Sequence, residues 1–261
     1  NDASTDNSLK IVESFAIKDP RITIINNNKN LGLSAVRNIG LKKACGQYIH
    51  FLDGDDYISY YAYEELFEYA LLNNKLDVLL FAHFRVKNQK TKAYNLNAKL
   101  ISYNKRIFST HLDKQFLLKA KVGVPVWHKL FKKDFLLDNN FFFKENTIFE
   151  DILFYWQTIT AANNISYLNI PFYYYCKRDS SIMGNKATRK DLDIIKIMDT
   201  SYNYMLKNNY LNNYVEAFTA KLLKTYISFF KGIKKEQKKQ FFTQMQLSLN
   251  KMNLLSSYLK D

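Results

Sequence analysis

With 261 residues, 47% of them apolar, the chain is long enough for one large domain or a domain with an appendage, and disorder is ruled out as its general state. Seven glycines and three prolines argue against a turn-rich all-β protein, and two cysteines, Cys45 and Cys176, argue against a disulfide framework and fit a reducing compartment. A formal net charge of +14 favours phosphorylated or acidic partners, while no apolar run approaches the roughly 18 residues that span a bilayer.

The first eight residues read as a loop rich in helix-capping side chains. Apolar spacing then predicts a helix over 9–15, a short strand over 21–25, a second helix over 32–44 and a strand ending at Leu52. A helix over 61–72 and a strand over 77–86 follow. The polar stretch 87–106 reads as a β excursion or loop, 112–120 as a helix, 126–137 as mixed, 150–162 as an amphipathic helix and 165–175 as an aromatic strand. From 187 onward the pattern is helical. Helices and strands alternating at this pitch indicate a parallel α/β sheet, in which ligands sit at the carboxyl ends of strands. The opening loop should itself follow a strand. The expectation is therefore that a strand, helix and strand precede Asn1, roughly 30 to 45 residues by the size of a βαβ unit.

One peptide stands out. Tyr48-Ile49-His50-Phe51-Leu52 is a β-type run that ends in Asp53-Gly54-Asp55-Asp56. Carboxylates packed that closely repel one another and favour water or a cation. The peptide is either a polar turn or an oxygen-ligand site for a divalent metal and, through it, a phosphate. The four histidines, His50, His83, His111 and His128, have no paired spacing, which argues against a zinc site.

Three further patterns accompany this one: Asn1-Asp2-Ala3-Ser4-Thr5-Asp6 before it, Asn30-Leu31-Gly32-Leu33-Ser34-Ala35-Val36-Arg37-Asn38-Ile39-Gly40 between, and Glu150-Asp151 at a helix start after it. In this order and spacing they resemble the GT-A fold glycosyltransferases of family 2, inverting enzymes that use nucleotide-sugar donors. Trp127-His128-Lys129-Leu130-Phe131, Tyr173-Tyr174-Tyr175 and Ser181-Ile182 resemble the branch of that family that builds bacterial cell-surface glycans. The resemblance covers 1 to about 185 and implies a GT-A (Rossmann-like), mostly parallel sheet flanked by helices. Residues 186–261 would form a basic helical C-terminal region. Members of the family begin with the strand, helix and strand expected before Asn1.

What the resemblance implies for the site is specific. Asp53 lies toward the ribose or metal, Asp55 bears on the metal and diphosphate, and Asp56 is a further ligand or a partner behind them; the ion is Mn²⁺ or Mg²⁺. Asp2 reads the nucleotide base, against the plainer reading of a helix cap or turn residue. Arg37 meets the base or a phosphate, or else is an ion-pair partner. Asp151 is the base that deprotonates the acceptor hydroxyl, with Glu150 as alternate, against the plainer reading that acidic residues suit the first turn of a helix. Trp127, His128 and Lys129 lie on the acceptor side. His128 stands where the family commonly has Asn, and packing is its simpler role. Lys177 or Arg178 reaches the diphosphate or belongs to a solvated charge run. Gly32 and Gly40 let backbone approach backbone.

The function so implied is transfer of a sugar, from a UDP-sugar, to a hydroxyl of a surface glycan or glycolipid at the cytoplasmic face of the membrane. Alternatives are an inactive nucleotide-sugar-binding fragment and a basic nucleic-acid-binding module. No nucleic-acid-binding motif supports the latter, and no nucleic-acid partner is expected. Residues 201–261 carry ten lysines against three acidic residues, with apolar pairs among them. They form either a surface for anionic membrane or a helical cap with solvated lysines.

Overall fold

The computed structural model describes residues 1–73, 75–87, 90–94, 101–119, 123–177, 191–252 and 254. In chain order the elements are α1 (Ser8–Ala16), α2 (Leu33–Lys43), β1 (Tyr48–His50), β2 (Tyr57–Ile58), α3 (Ala62–Leu72), β3 (Val78–Lys87), β4 (Lys90–Tyr94), β5 (Ile107–Phe108) and α4 (His111–Lys119). A 3₁₀ turn (Val126–His128) leads into β6 (Lys129–Lys132), α5 (Lys133–Asp138), α6 (Glu150–Ala161) and β7 (Ile165–Cys176). Three helices follow: α7 (Asp193–Lys207), α8 (Leu211–Gly232) and α9 (Lys238–Met252).

The strands form one sheet in the order β1-β6-β3-β7-β2, with β4 on β3 and β5 on β7. The α/β class with flanking helices is as expected, but the pairing is mixed rather than mostly parallel. Among the described strands only β3 and β7 run parallel; β6 enters between β1 and β3 antiparallel to both. The sequence reads 126–137 as mixed because a 3₁₀ turn, a four-residue strand and a short helix succeed each other too quickly for either periodicity to emerge. The strand expected over 21–25 is absent. That segment is extended, but its backbone bonds go to Asn1, which accepts from Asn27 N–H (3.0 Å) and donates to Ile25 O (2.7 Å). Alternation predicts extended backbone; a strand also needs a ladder.

Burial follows the two faces of β3. Val78, Leu80 and Ala82 join one apolar cluster, and Leu79 and Phe81 join the other, the period of two that a strand imposes. α3 covers the second face with Ala62, Leu66 and Ala70. α6 covers the first with Phe154, Trp156 and Ile159, and the C-terminal helices extend that same cluster through Met198, Phe218 and Phe241. Both faces are thus covered, which accounts for the continuous apolar run Val78-Leu79-Leu80-Phe81-Ala82. Lys114 of α4 caps the far end of α6 by donating to Thr160 O (3.1 Å) and Ala162 O (2.8 Å). Helix α1 buries none of its residues, and its Ile11 and Phe15 are exposed.

Two irregularities position the site. Register shifts between β3 and β7 occur opposite Pro171, so the strand bends and Tyr173 and Tyr175 turn onto Trp127. Phe149, just before α6, has φ +69°, a left-handed conformation that is costly for a bulky side chain. Its ring is held edge-on by Phe229 of α8 at 5.0 Å.

Trp156 ties α6 to the C-terminal helices through Phe218, at 5.1 Å between ring centroids, and is fully buried. Trp156→Ala should destabilise the fold by about 3–5 kcal/mol. Urea unfolding followed by circular dichroism measures this; a loss below about 1 kcal/mol would mean that the helices do not rest on α6 as described.

Candidate active site

Segments far apart in the chain meet at the end of β1. Helix α2 turns Arg37 inward, and its guanidinium collects three carboxylates. Arg37 Nη2 donates to Asp53 Oδ1 at 2.8 Å; Nη1 donates to Glu150 Oε1 and to Asp151 Oδ1, each at 2.9 Å. The Arg37 side chain is only 8% exposed and lies over the Phe143 ring at 5.2 Å. Charge-assisted bonds of this kind are strong, and removing one partner of a buried set leaves an uncompensated charge. Burial pushes the Asp151 carboxyl above the usual range, while Arg37 and Lys129 pull it back. Glu150 is also raised, by burial and by the charge of Asp151, against the pull of Arg37. Both acids occupy the first turn of α6, where the helix dipole favours negative charge. The pair thus sits in the helix's first turn and takes part in the ion cluster as well.

Asn38, the next residue, clamps the loop that leads into α6. Its side chain accepts from Phe143 N–H (2.8 Å) and donates to Phe143 O (2.9 Å). This reciprocal pair has no local signature and was not foreseen from the sequence.

The acidic loop is anchored on β7. Asp53 O accepts from Asp56 N–H at 3.1 Å, which closes a turn. Asp56 Oδ2 accepts from Tyr173 O–H (2.6 Å) and Oδ1 from Cys176 N–H (2.7 Å). Burial raises the Asp56 pKa, and its neighbours Asp55 and Asp53 add to that against those two bonds. With both oxygens engaged, Asp56 fastens the loop, while Asp53 bonds to Arg37. Asp55 is exposed and Asp53 partly so. Among the described residues, no group of three or more His, Cys, Asp and Glu side chains is placed to enclose a metal ion by itself. Two loop carboxylates fit a hard cation that would share its remaining positions with phosphate oxygens and water.

Asp2 lies at the start of α2. Its Oδ1 accepts from Leu31 N–H (2.8 Å) and Asn27 Nδ2 (3.1 Å), and Oδ2 from Gly32 N–H (2.9 Å). Gly32 has φ +87°, which suits glycine and exposes its N–H to the carboxylate. Burial would raise the Asp2 pKa, but these bonds outweigh it and the net shift is downward. Asp2 thus fastens the loop that leads into α2.

The tripeptide Trp127-His128-Lys129 is buried throughout. Trp127 stacks on Tyr173 and Tyr175 at 4.6 and 5.3 Å. His128 packs its ring against Gly123, where an added Cβ would meet it at 3.0 Å. Packing is therefore its observed role, and burial, reinforced by the Lys129 charge, drives its pKa well down. Lys129 Nζ donates to Gly123 O (2.8 Å), Val124 O (3.2 Å) and Pro125 O. Those carbonyls fix the loop whose next N–H, from Val126, donates to Asp151 Oδ2 at 3.3 Å. Lys129 thus supports Asp151 from behind. His50 was not singled out by the sequence. Its Nε2 donates to Trp127 O (2.7 Å), so Nδ1 accepts from Tyr63 O–H (3.0 Å). A cleft of about 520 Å³ opens beside Arg37, His50 and Asp53 and is walled by Val36, Leu41 and Phe51. Lys177 is exposed, its N–H bonded to Val86 O at 2.9 Å. Arg178, Ser181 and Ile182 lie outside the described residues.

Known proteins resemble this chain in sequence and in fold. Residues 1–137 match the model of the glycosyl transferase family 2. A cholesterol galactosyltransferase of Borreliella burgdorferi is 34% identical over 194 residues, 71% of this chain and 52% of that protein. The uncharacterized glycosyltransferase EpsJ of Bacillus subtilis is 29% identical over 185 residues, 70% of this chain and 52% of that protein. The chain spans about half the length of these two relatives. Among solved structures, Staphylococcus aureus TarS in complex with UDP-GlcNAc superposes with a TM-score of 0.76 at 24% identity, covering 96% of this chain and 69% of that one. This likeness bears on the fold alone and agrees with the GT-A architecture. With more than half of its length matched by the family model, the chain belongs to glycosyl transferase family 2.

Proposed function

We propose that the protein is an inverting glycosyltransferase that moves a sugar from a UDP-sugar to a hydroxyl of a cell-surface glycan or glycolipid. The observation that carries this reading is the cluster in which Arg37 joins Asp53 to Glu150 and Asp151. It brings a loop suited to a diphosphate next to a carboxylate suited to be a base. The name of one relative, a cholesterol galactosyltransferase, supports a membrane-borne acceptor.

In this mechanism Asp151 takes the proton of the acceptor hydroxyl as its oxygen attacks the anomeric carbon. The bond from that carbon to the diphosphate oxygen breaks in the same displacement, and UDP leaves with the bonding pair. Asp53 and Asp55 would hold Mn²⁺ or Mg²⁺, which would supply Lewis-acid stabilisation to the departing diphosphate. Asp2 and the start of α2 border the nucleotide base. Arg37 keeps Asp151 ionised and oriented, and Lys129 holds the loop behind it.

Asp151→Asn should lower transfer, assayed with a panel of UDP-sugars and Mn²⁺, by about 10²–10⁴-fold with donor affinity unchanged, whereas Asp55→Ala should weaken donor binding. Retained turnover in both variants would remove the site assignment. Because burial raises the Asp151 pKa, the acid limb of the pH–rate profile should lie above the ordinary aspartate value of 3.8. Arg37→Met removes a cation that lowers this pKa, so the limb should move to higher pH; a shift toward acid contradicts the pairing. Lys129→Met keeps the stem but leaves the loop carbonyls without their donor. It should lower kcat by about tenfold or more with donor KM unchanged, which separates positioning from donor binding.

A further inference from the structure

The end of the α8–α9 hairpin is unlike the rest of the surface. Between 224 and 242 the chain carries six lysines and one acidic residue, Glu236. Lys224, Ile227 and Lys231 fall on one exposed stripe of α8, with Ile227 54% exposed. Lys234 and Lys235 are exposed in the connection, and Lys239 and Phe242 on α9, with Phe242 44% exposed. The aromatic groups are set rather than stray. Phe230 touches Phe242 at 6.2 Å and the fully buried Phe241 at 6.3 Å, and Lys238 Nζ lies over the Phe230 ring at 5.3 Å. Large apolar side chains ringed by lysines on adjacent helices have the composition of a surface that lies on lipid headgroups: the rings enter the acyl boundary and the ammonium groups meet phosphates. None of the described helices is long and apolar enough to cross a membrane, so such contact would be interfacial.

Position adds to composition. Phe229, in the same turn of α8, packs on Phe149, the residue immediately before Glu150 and Asp151. The hairpin is therefore anchored at the start of α6 through Phe229, on the side of α8 opposite the exposed stripe of Lys224, Ile227 and Lys231.

We propose that this tip, through Lys231, Lys234, Lys235, Lys239, Ile227 and Phe242, seats the protein on an anionic lipid bilayer. The inference rests on the proposed function and deepens it, since a protein seated on lipid would meet a lipid-borne acceptor at the membrane that holds it. Seating does not require catalysis, so it can be tested separately from it.

The test is sedimentation of the 261-residue chain with phosphatidylglycerol–phosphatidylcholine vesicles and with phosphatidylcholine vesicles, without donor or acceptor. Binding should occur to the anionic vesicles only and should fall in 0.5 M NaCl, a readout that needs no variant. A lysine near an anionic surface contributes about fivefold to partitioning, so K231Q/K234Q/K235Q/K239Q should weaken binding by about 10²-fold or more with an unchanged circular dichroism spectrum. Ile227→Ser with Phe242→Ser should weaken it while leaving the charge intact. Equal sedimentation with both vesicle types, full binding by the lysine variant, or binding to oligonucleotide without binding to vesicles would each overturn the proposal. Loss of vesicle binding with UDP-sugar hydrolysis retained would support the surface and leave the active-site reading intact. Vesicle binding without any transfer would count against the enzymatic reading alone.

Discussion

The site depends on one buried cation. Arg37 is drawn into the interior by three carboxylates that come from β1's loop and from the first turn of α6, and these partners are up to 114 residues away in sequence. A guanidinium is suited to this because its planar fork keeps several donors aligned and it does not lose its proton. Burial works against its charge, and the carboxylates more than offset that, so its pKa moves up. The carboxylates in turn would repel each other without it. Neither side of the cluster is stable in the interior alone, so the geometry of the acidic loop and that of α6 are coupled.

Around this cluster, each carboxylate has a distinct set of neighbours and hence a distinct chemistry. Asp56 spends both oxygens on β7, and Asp2 spends both on the start of α2. Asp151 is raised by burial and steadied by Arg37 and the Val126 N–H. Similar side chains thus become the anchor of the acidic loop, the anchor of the loop before α2 and a candidate base through what surrounds them. A second tier supports the first: Lys129 binds the carbonyls of 123–125, Asn38 clamps Phe143, and Tyr173 both packs on Trp127 and donates to Asp56. The C-terminal helices are tied into the same system, because Phe229 packs edge-on against Phe149, which has a left-handed backbone at the head of α6.

Much of this was legible in the sequence. Periodicity located α2, α3, α6, β3 and β7 to within a few residues, because each has a buried stripe or face that a short repeat encodes. The order of Asp2, Arg37, Asp53, Asp55 and the Glu150-Asp151 pair pointed to the family. The segment 21–25 and the pairing of the sheet were not legible in this way. Whether an extended segment becomes a strand, and in which direction its neighbour runs, is decided by partners elsewhere in the chain. β6 is the plain case: four residues whose apolar pattern says nothing about lying antiparallel to both β1 and β3.

By itself, then, the sequence determined the helices, the two-faced central strand, the acidic loop and the excess of lysines after residue 200. These are local properties, set by backbone geometry and by side chains at short spacing. Only the tertiary structure decided that Arg37 faces the carboxylates, that Lys129 is a buried staple under the Val126 loop, and that the lysine-rich hairpin is anchored at the start of α6. A buried charge must find its partners wherever the fold brings them, and no spacing along the chain records a contact across more than a hundred residues.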